Sequence, residues 1–263
     1  MDWKTAKNYI IILLAIMNII LVISIMGHNN NASIDNPYFS KKSLESFEKL
    51  MQEKGIELLV ELPREVHTVA SLNVEYESFS QQTYPELFDD YQEVNAIQNS
   101  KMLELLLPAD ELFIQNTRYE TKTEGERKIF AEDFLERYFA DHKFHLKYTK
   151  DDRLVYNPVI DGILFEESFV EFSFIEGDVI IRAALIQPKE GSSNKKGTMT
   201  SMEAILNALP QLSRGDRIVG IDFIYYFDLE DGELYRVKDA RAFPSWRIIT
   251  EKGEVIYILA FKN

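Results

Sequence analysis

Hydrophobic and polar positions sort the chain into one unbroken apolar run followed by segments of alternating and helical periodicity. The run is Tyr9–Met26, YIIILLAIMNIILVISIM, with one Asn, one Ser and no charge. Eighteen residues at ~1.5 Å each make a helix of about 27 Å, matched to a hydrocarbon core of roughly 30 Å. A cleaved signal peptide is the weaker reading, because the run is long for such a segment and the flank IMGHNNNAS offers no small-x-small cleavage pattern. Beyond it, HNNNASIDNPYF reads as a polar linker. Ser40 then caps a helix over 41–54, with Leu44, Phe47, Leu50 and Met51 on one face and Gly55 just past its end. Period-2 alternation returns at Ile56, Leu58, Val60 and Leu62, and again at Val66, Ala70, Leu72, Val74 and Tyr76. In 80–122, PELFDDYQEV and MLELLLPADELFIQ read as short helices or as a helix and a strand, interrupted by Pro85 and Pro108.

From Thr123 onward two similar passages follow one another. Thr123 and Glu126 form a capping box for a helix to about 141, with Phe130, Phe134, Leu135 and Tyr138 as its stripe. Strands are expected at 146–156, 165–175 and 179–187. Val170, Phe172 and Phe174 share a face, and Glu176-Gly177-Asp178 turns the chain into Val179, Ile181, Ala183 and Leu185. Thr200 and Glu203 form a second capping box for a helix carrying Ile205, Leu206 and Leu209 and ending near Pro210. Strands follow at 217–228, 233–241, 245–250 and 254–262, with Val219, Ile221, Phe223, Tyr225 and Phe227 alternating and Asp231-Gly232 and Lys252-Gly253 as hairpin turns. Each helix is expected across one face of its antiparallel meander, leaving the other face to solvent or a partner. The fold class is therefore α+β: one N-terminal transmembrane helix, then an extracytoplasmic ectodomain of helix-plus-antiparallel-sheet units. The expected divisions are a cytoplasmic tail 1–8, a span 9–26, a linker 27–39, an N-terminal ectodomain part 40–122 and a C-terminal part 123–263 holding both units.

Charge sets the orientation and narrows the partners. Lys4 and Lys7 precede the run, and no Lys or Arg follows it before Lys41, so the positive-inside bias keeps the amino end in the cytoplasm. With Lys4, Lys7 and Asp2 set aside, the outer part keeps 27 Lys+Arg against 42 Asp+Glu, a formal −15. Such a surface repels phosphate backbones and anionic headgroups, which argues against nucleic acid and peripheral lipid. There is no Cys, hence no disulfide, thiolate metal site or lipoprotein anchor. An aromatic content of 12% points to a packed body rather than a disordered stalk.

Catalytic signatures are missing: no G-x-S-x-G, G-x-G-x-x-G, Walker A or H-E-x-x-H occurs. His142 and His145 lie at a helix end without a third ligand at recognisable spacing, and read as surface or cap histidines. The pairs Asp89-Asp90, Asp151-Asp152, Glu166-Glu167 and Glu230-Asp231 read as solvated rims or turns in a chain with 43 acids. Asp228-Leu229-Glu230-Asp231-Gly232 has Gly where a calcium loop needs its third acid. No cofactor or metal is expected. Asn18, at mid-span, shares a helix face with Ile11, Ala15, Val22 and Ile25. An amide in hydrocarbon finds its partner on a neighbouring helix, for roughly 0.6–2 kcal/mol, or on its own backbone.

The opening MDWKTAKNYIIILLAIMNIILV resembles the start of the YycI (WalI) family, whose members begin Met-Asp-Trp with a short basic stretch and a single span. The closing FPSWRIITEKGEVIYILAF is similar to the family's ending, a Pro-x-Trp-Arg-Ile segment before a last strand. Asp2, Trp3, Lys4, Pro244, Trp246 and Arg247 carry the resemblance here. It implies a regulatory protein of the Gram-positive membrane, partnered by a similar single-span YycH-like protein, that adjusts a WalK (YycG)-like sensor histidine kinase governing cell-wall metabolism. It also implies a YycH/YycI-like α+β ectodomain without catalytic residues. The competing readings are a membrane-tethered wall hydrolase, which needs a deep cleft and a carboxyl or His of shifted pKa, and an extracytoplasmic ligand-binding domain.

Overall fold

A computed structural model describes residues 39–91, 93–114, 117–150, 152–189, 194–227 and 240–261. The expected span, the Asn18 face, residues 233–239 of the strand expected over 233–241, the Asp231-Gly232 turn and the 228–232 acid loop lie outside the described residues. Among the described residues no helix is long and apolar enough to cross a membrane.

The chain divides into two units, residues 1–54 and 55–263. The first holds helix α1 (Lys41–Lys54), where Ser40 Oγ accepts the Ser43 amide, as the cap pattern predicts. The positive φ of Gly55 (69°) fits a C′ glycine.

The second unit is mostly sheet, so the fold is α+β. It opens with β1 (Glu57–Leu58), β2 (Thr68–Val69) and β3 (Leu72–Tyr76), in which Leu72, Val74 and Tyr76 point inward together. The alternation seen over 56–62 yields only the two-residue β1, paired parallel to Arg217–Ile218, and Leu59 is left exposed. Helix α2 (Pro85–Asp90) starts on its proline. Strands β4 (Val94–Ile97) and β5 (Met102–Leu107) form a hairpin, and β6 (Phe113–Ile114) and β7 (Thr117–Arg118) a second, minor one. PELFDDYQEV thus holds a helix and the start of β4, and MLELLLPADELFIQ holds two strands, β5 and β6.

Both capping boxes form. Helix α3 (Glu124–Tyr138) begins with Thr123 Oγ1 accepting the Glu126 amide while Glu126 accepts the Thr123 amide at 2.8 Å. Its Phe130, Phe134, Leu135 and Tyr138 are buried as the stripe predicts. Strands β8 (Phe144–Lys150), β9 (Arg153–Ile160), β10 (Ile163–Phe165), β11 (Phe169–Ile175), β12 (Asp178–Ala184) and β13 (Ile186–Pro188) follow, then β14 (Lys196–Gly197) paired with β2. The single strand expected at 146–156 is a hairpin, turned at Asp152 with φ 59°. Helix α4 (Ser201–Ala208) repeats the capping arrangement at Thr200 and Glu203 and closes in a 3-10 turn (Leu209–Gln211). Thr123→Ala and Thr200→Ala should each cost about 1 kcal/mol and together about 2, read from urea unfolding midpoints.

The chain ends in β15 (Arg217–Tyr226), β16 (Ala240–Thr250) and β17 (Val255–Leu259). A bulge between Ile218 and Gly220 turns Val219 outward, against the alternation expected of it, while Ile221, Tyr225 and Phe227 stay buried. β16 runs straight through Pro244, where the sequence suggests a break. Pro244 has no N–H for Ala260, and the Met199 amide donates to Ala260 O at 2.8 Å in its place.

Thirteen of these strands join in one sheet, in the order β13-β3-β16-β15-β10-β9-β11-β12-β5-β4, with β1 on β15, β8 on β9 and β17 on β16. The pairs are antiparallel except β1 and β10 with β15. Helix α3 packs on the face that carries Leu103, Leu105, Val170, Phe172, Val179 and Ile181. Helix α4 packs on β16 and β17, over the fully buried Trp246, whose Nε1 donates to Met199 O at 3.0 Å.

Candidate functional site

The sheet changes partners along β9, as it also does along β15 and β16. β10 and β11 run one after the other along the same side of β9, β10 pairing onward to β15 and β11 to β12. Between them residues 166–168 leave the ladder, so the strand expected over 165–175 is interrupted. Backbone carbonyls freed there need donors. Asn157 supplies them: its Nδ2 donates to Phe165 O (2.8 Å), Glu166 O (3.1 Å) and Ser168 O (2.7 Å). Tyr76 donates its hydroxyl to Glu167 O, and Ser168 Oγ bridges Ala184 O and the Ile186 amide.

This junction gathers a cluster of largely buried charges. Glu166 takes Lys147 Nζ at 2.6 Å and the guanidinium of Arg247, whose Nη2 also reaches Asp222 at 2.7 Å. Burial works against the Arg247 charge, but Glu166 and Asp222 outweigh it and hold its pKa above the usual value. Tyr257 lies within 3.4 Å of Glu166 and stacks on Tyr226 at 3.9 Å. The neighbouring Glu167 is different. Its Oε2 is buried with no hydrogen-bond partner among the described residues. Burial first, then the Glu166 charge, pushes its pKa up to about 8. The Glu166-Glu167 pair is therefore not a solvated turn as its sequence suggests. The turn brings it inside, where one carboxylate is ion-paired and the other is driven toward its neutral form.

A second constellation lines a cleft of about 900 Å³ between the ends of α2 and α3 and the β9–β10 turn. His142 Nε2 lies 3.0 Å from Glu77 Oε1, and the Tyr84 hydroxyl donates to Glu77 Oε2. His142 does close the last turn of α3, its amide donating to Phe139 O, but it is not a surface histidine: its side chain is 14% exposed. Glu77 draws it in, from a loop far away in sequence; His145 stays exposed. Burial raises the Glu77 pKa, yet the bonds from His142 and Tyr84 and the nearby Lys101 overcome it, and the net shift is downward. The contribution of this carboxylate is present above the unfolded value near 4.5 and is lost as pH falls through its depressed folded value. Glu77→Gln should accordingly flatten the loss of stability between pH 5 and 3, seen in urea midpoints taken across that range.

As chemistry these groups are occupied. Both Glu77 oxygens are bonded, and a carboxyl with a lowered pKa makes a poor general acid at neutral pH. The remaining acid pairs are structural or exposed: Asp89 accepts from Gln81, Asp90 from Tyr138, and Asp152 pairs with Arg127. Asp151, Glu230 and Asp231 lie outside the described residues. Among the described residues no three His, Asp or Glu gather as metal ligands. The site the sequence proposed, Ile11, Ala15, Asn18, Val22 and Ile25, also lies outside the described residues. Sequence reasoning missed the Glu77–His142 contact, which joins residues distant along the chain, and the Asn157 contacts, which lie close in sequence but depend on where β10 and β11 part from the ladder.

A family model described as YycI protein matches residues 36–261. The chain belongs to the YycI family, a family of membrane-associated regulators of the WalK (YycG) system rather than of enzymes. A search of curated proteins finds no match.

Proposed function

We propose that this chain is a single-pass membrane protein that modulates a WalK/YycG-like sensor histidine kinase, acting with a YycH-like single-span partner. The observation that carries this reading is the family match over 36–261. The 9–26 run serves as the span, with the amino end cytoplasmic and residues 27–263 extracytoplasmic, supported by the Lys4/Lys7 flank. The face of Ile11, Ala15, Asn18, Val22 and Ile25 meets a partner helix, Asn18 bonding across to it. Asn18→Leu should weaken cross-linking to that helix in membranes; unchanged cross-linking would rule out this face.

A regulator of this kind works only by binding one kinase conformation better than the other, and a tenfold shift needs about 1.4 kcal/mol. A few helix contacts and one docking surface supply that much. The cleft beside Glu77 favours a second reading, an extracytoplasmic domain that binds a small ligand without transforming it. Affinity capture from detergent-solubilised membranes separates the two. Recovery of a sensor kinase and a second single-span protein supports the regulator; recovery of neither returns the cleft to first place.

A further inference from the structure

The last strand, β17, pairs with β16 on one side only among the described residues. The Thr250 amide donates to Glu254 O and the Ala260 amide to Pro244 O, so the even-numbered residues of this strand bond inward. Val255, Tyr257 and Leu259 therefore turn their amides and carbonyls away from the sheet. Edge strands are ordinarily guarded by Lys, Pro, a bulge or a covering loop. VIYIL has none of these in its sequence, and Val255 and Leu259 are 43% and 47% exposed. Past its end the inward side continues to be used, the Met199 amide reaching Ala260 O and Thr198 bridging Phe261, while the outward side of 255–259 has no strand on it among the described residues.

Helix α4 adds a side-chain receptor to this main-chain row. A groove of about 540 Å³ runs between α4 and β17, lined by Met199, Leu206, Asn207, Ile258 and Phe261 with Glu203 at its wall. A strand laid on β17 would direct every second side chain into this groove. The exposed Glu254 stands at one end of the strand, and Lys196, over the Phe261 ring, near the other. The chain as a whole carries −14, so a second copy meets net repulsion at this edge whereas a basic segment is attracted.

We propose that the β17 edge and the α4 groove take up an extended segment of another protein, apolar at alternate positions and flanked by Lys or Arg, by strand addition. The proposal rests on the reading of this chain as an interaction protein and names the surface it uses. Main-chain bonds at residues 255, 257 and 259 hold the guest, and the groove around Leu206 selects for its apolar side chains.

The test uses the full-length chain in detergent micelles and three nine-residue peptides with the same Val/Thr/Ile-alternating centre: one with Lys at both ends, one with Glu, and one with Pro at the middle position. Hydrogen exchange is followed at 255–259. The Lys peptide should slow exchange there at least tenfold, with the Glu and Pro peptides binding at least tenfold more weakly. Leu259→Pro, which places proline at an outward-facing amide, and Leu206→Asp, which charges the groove, should each abolish the protection while leaving the thermal midpoint of the chain within a few degrees. Either variant suffices if the other fails to fold. Absence of protection, equal binding of the Glu peptide, or concentration-dependent protection without peptide would overturn the proposal, the last by showing a second copy in the groove. A chain that captures the kinase but ignores the Lys peptide loses only this edge; one that takes the peptide but captures neither protein loses only the regulator reading.

Discussion

Asn157→Leu is expected to lower stability by about 3–5 kcal/mol, the largest loss from any single polar side chain in the sheet. The leucine fills nearly the same volume, so cavity terms are small and the effect isolates the amide. The two N–H of one Nδ2 group are shared among three carbonyls, those of Phe165, Glu166 and Ser168, in surroundings where Asn157 itself is 2% exposed. Removing it leaves buried acceptors without a donor at the one place where the sheet changes from β11 to β10. Asn157→Asp should be at least as damaging above pH 5, because a carboxylate would face those same carbonyl oxygens. Urea unfolding at constant m-value reads both changes. A loss under 1 kcal/mol for the leucine variant would mean that 166–168 is held by Tyr76 and Ser168 alone.

Glu167→Gln is expected to make the protein more stable at alkaline pH than the unaltered chain, and to flatten its stability profile. The folded pKa, about 8, exceeds the unfolded value near 4.5, so between them the folded state keeps a proton that the unfolded state has lost. Stability from this group is then fully present below pH 4.5 and drains away as pH rises through about 8. At 1.36 kcal/mol per unit the loss by pH 7 is about 3 kcal/mol. Glutamine imitates the neutral acid and does not titrate, so the difference between variant and unaltered chain should be near zero at pH 4 and grow steadily to pH 8. All other titrating groups cancel in that difference. A difference that is flat with pH would show Glu167 ionised without cost, with an oxygen reaching solvent.

What the sequence discloses and what it withholds divide along one physical line. Capping boxes span three residues, so Thr123/Glu126 and Thr200/Glu203 are readable and form as read. The inward set Val170, Phe172 and Phe174, and the turn at Glu176-Gly177, follow from period 2 and from backbone preference, and they too stand. Errors arise where a partner far along the chain changes a local preference. The proline in β16 is tolerated because Met199 replaces its missing donor, and Glu166 is drawn inside by Lys147 and Arg247. His142 is legible as a helix-end residue, but its carboxylate partner, Glu77, is not. That β17 is a strand can be read from VIYIL; that it is an edge depends on pairings no local pattern encodes.

The proposed function is that of a regulator acting by contact on a kinase. The most direct measurement is autophosphorylation of a WalK/YycG-like kinase reconstituted in nanodiscs with and without the full-length chain and a YycH-like single-span protein. The account predicts a change in rate of about tenfold, equivalent to about 1.4 kcal/mol between kinase states. A rate that stays the same with the whole assembly present would contradict it.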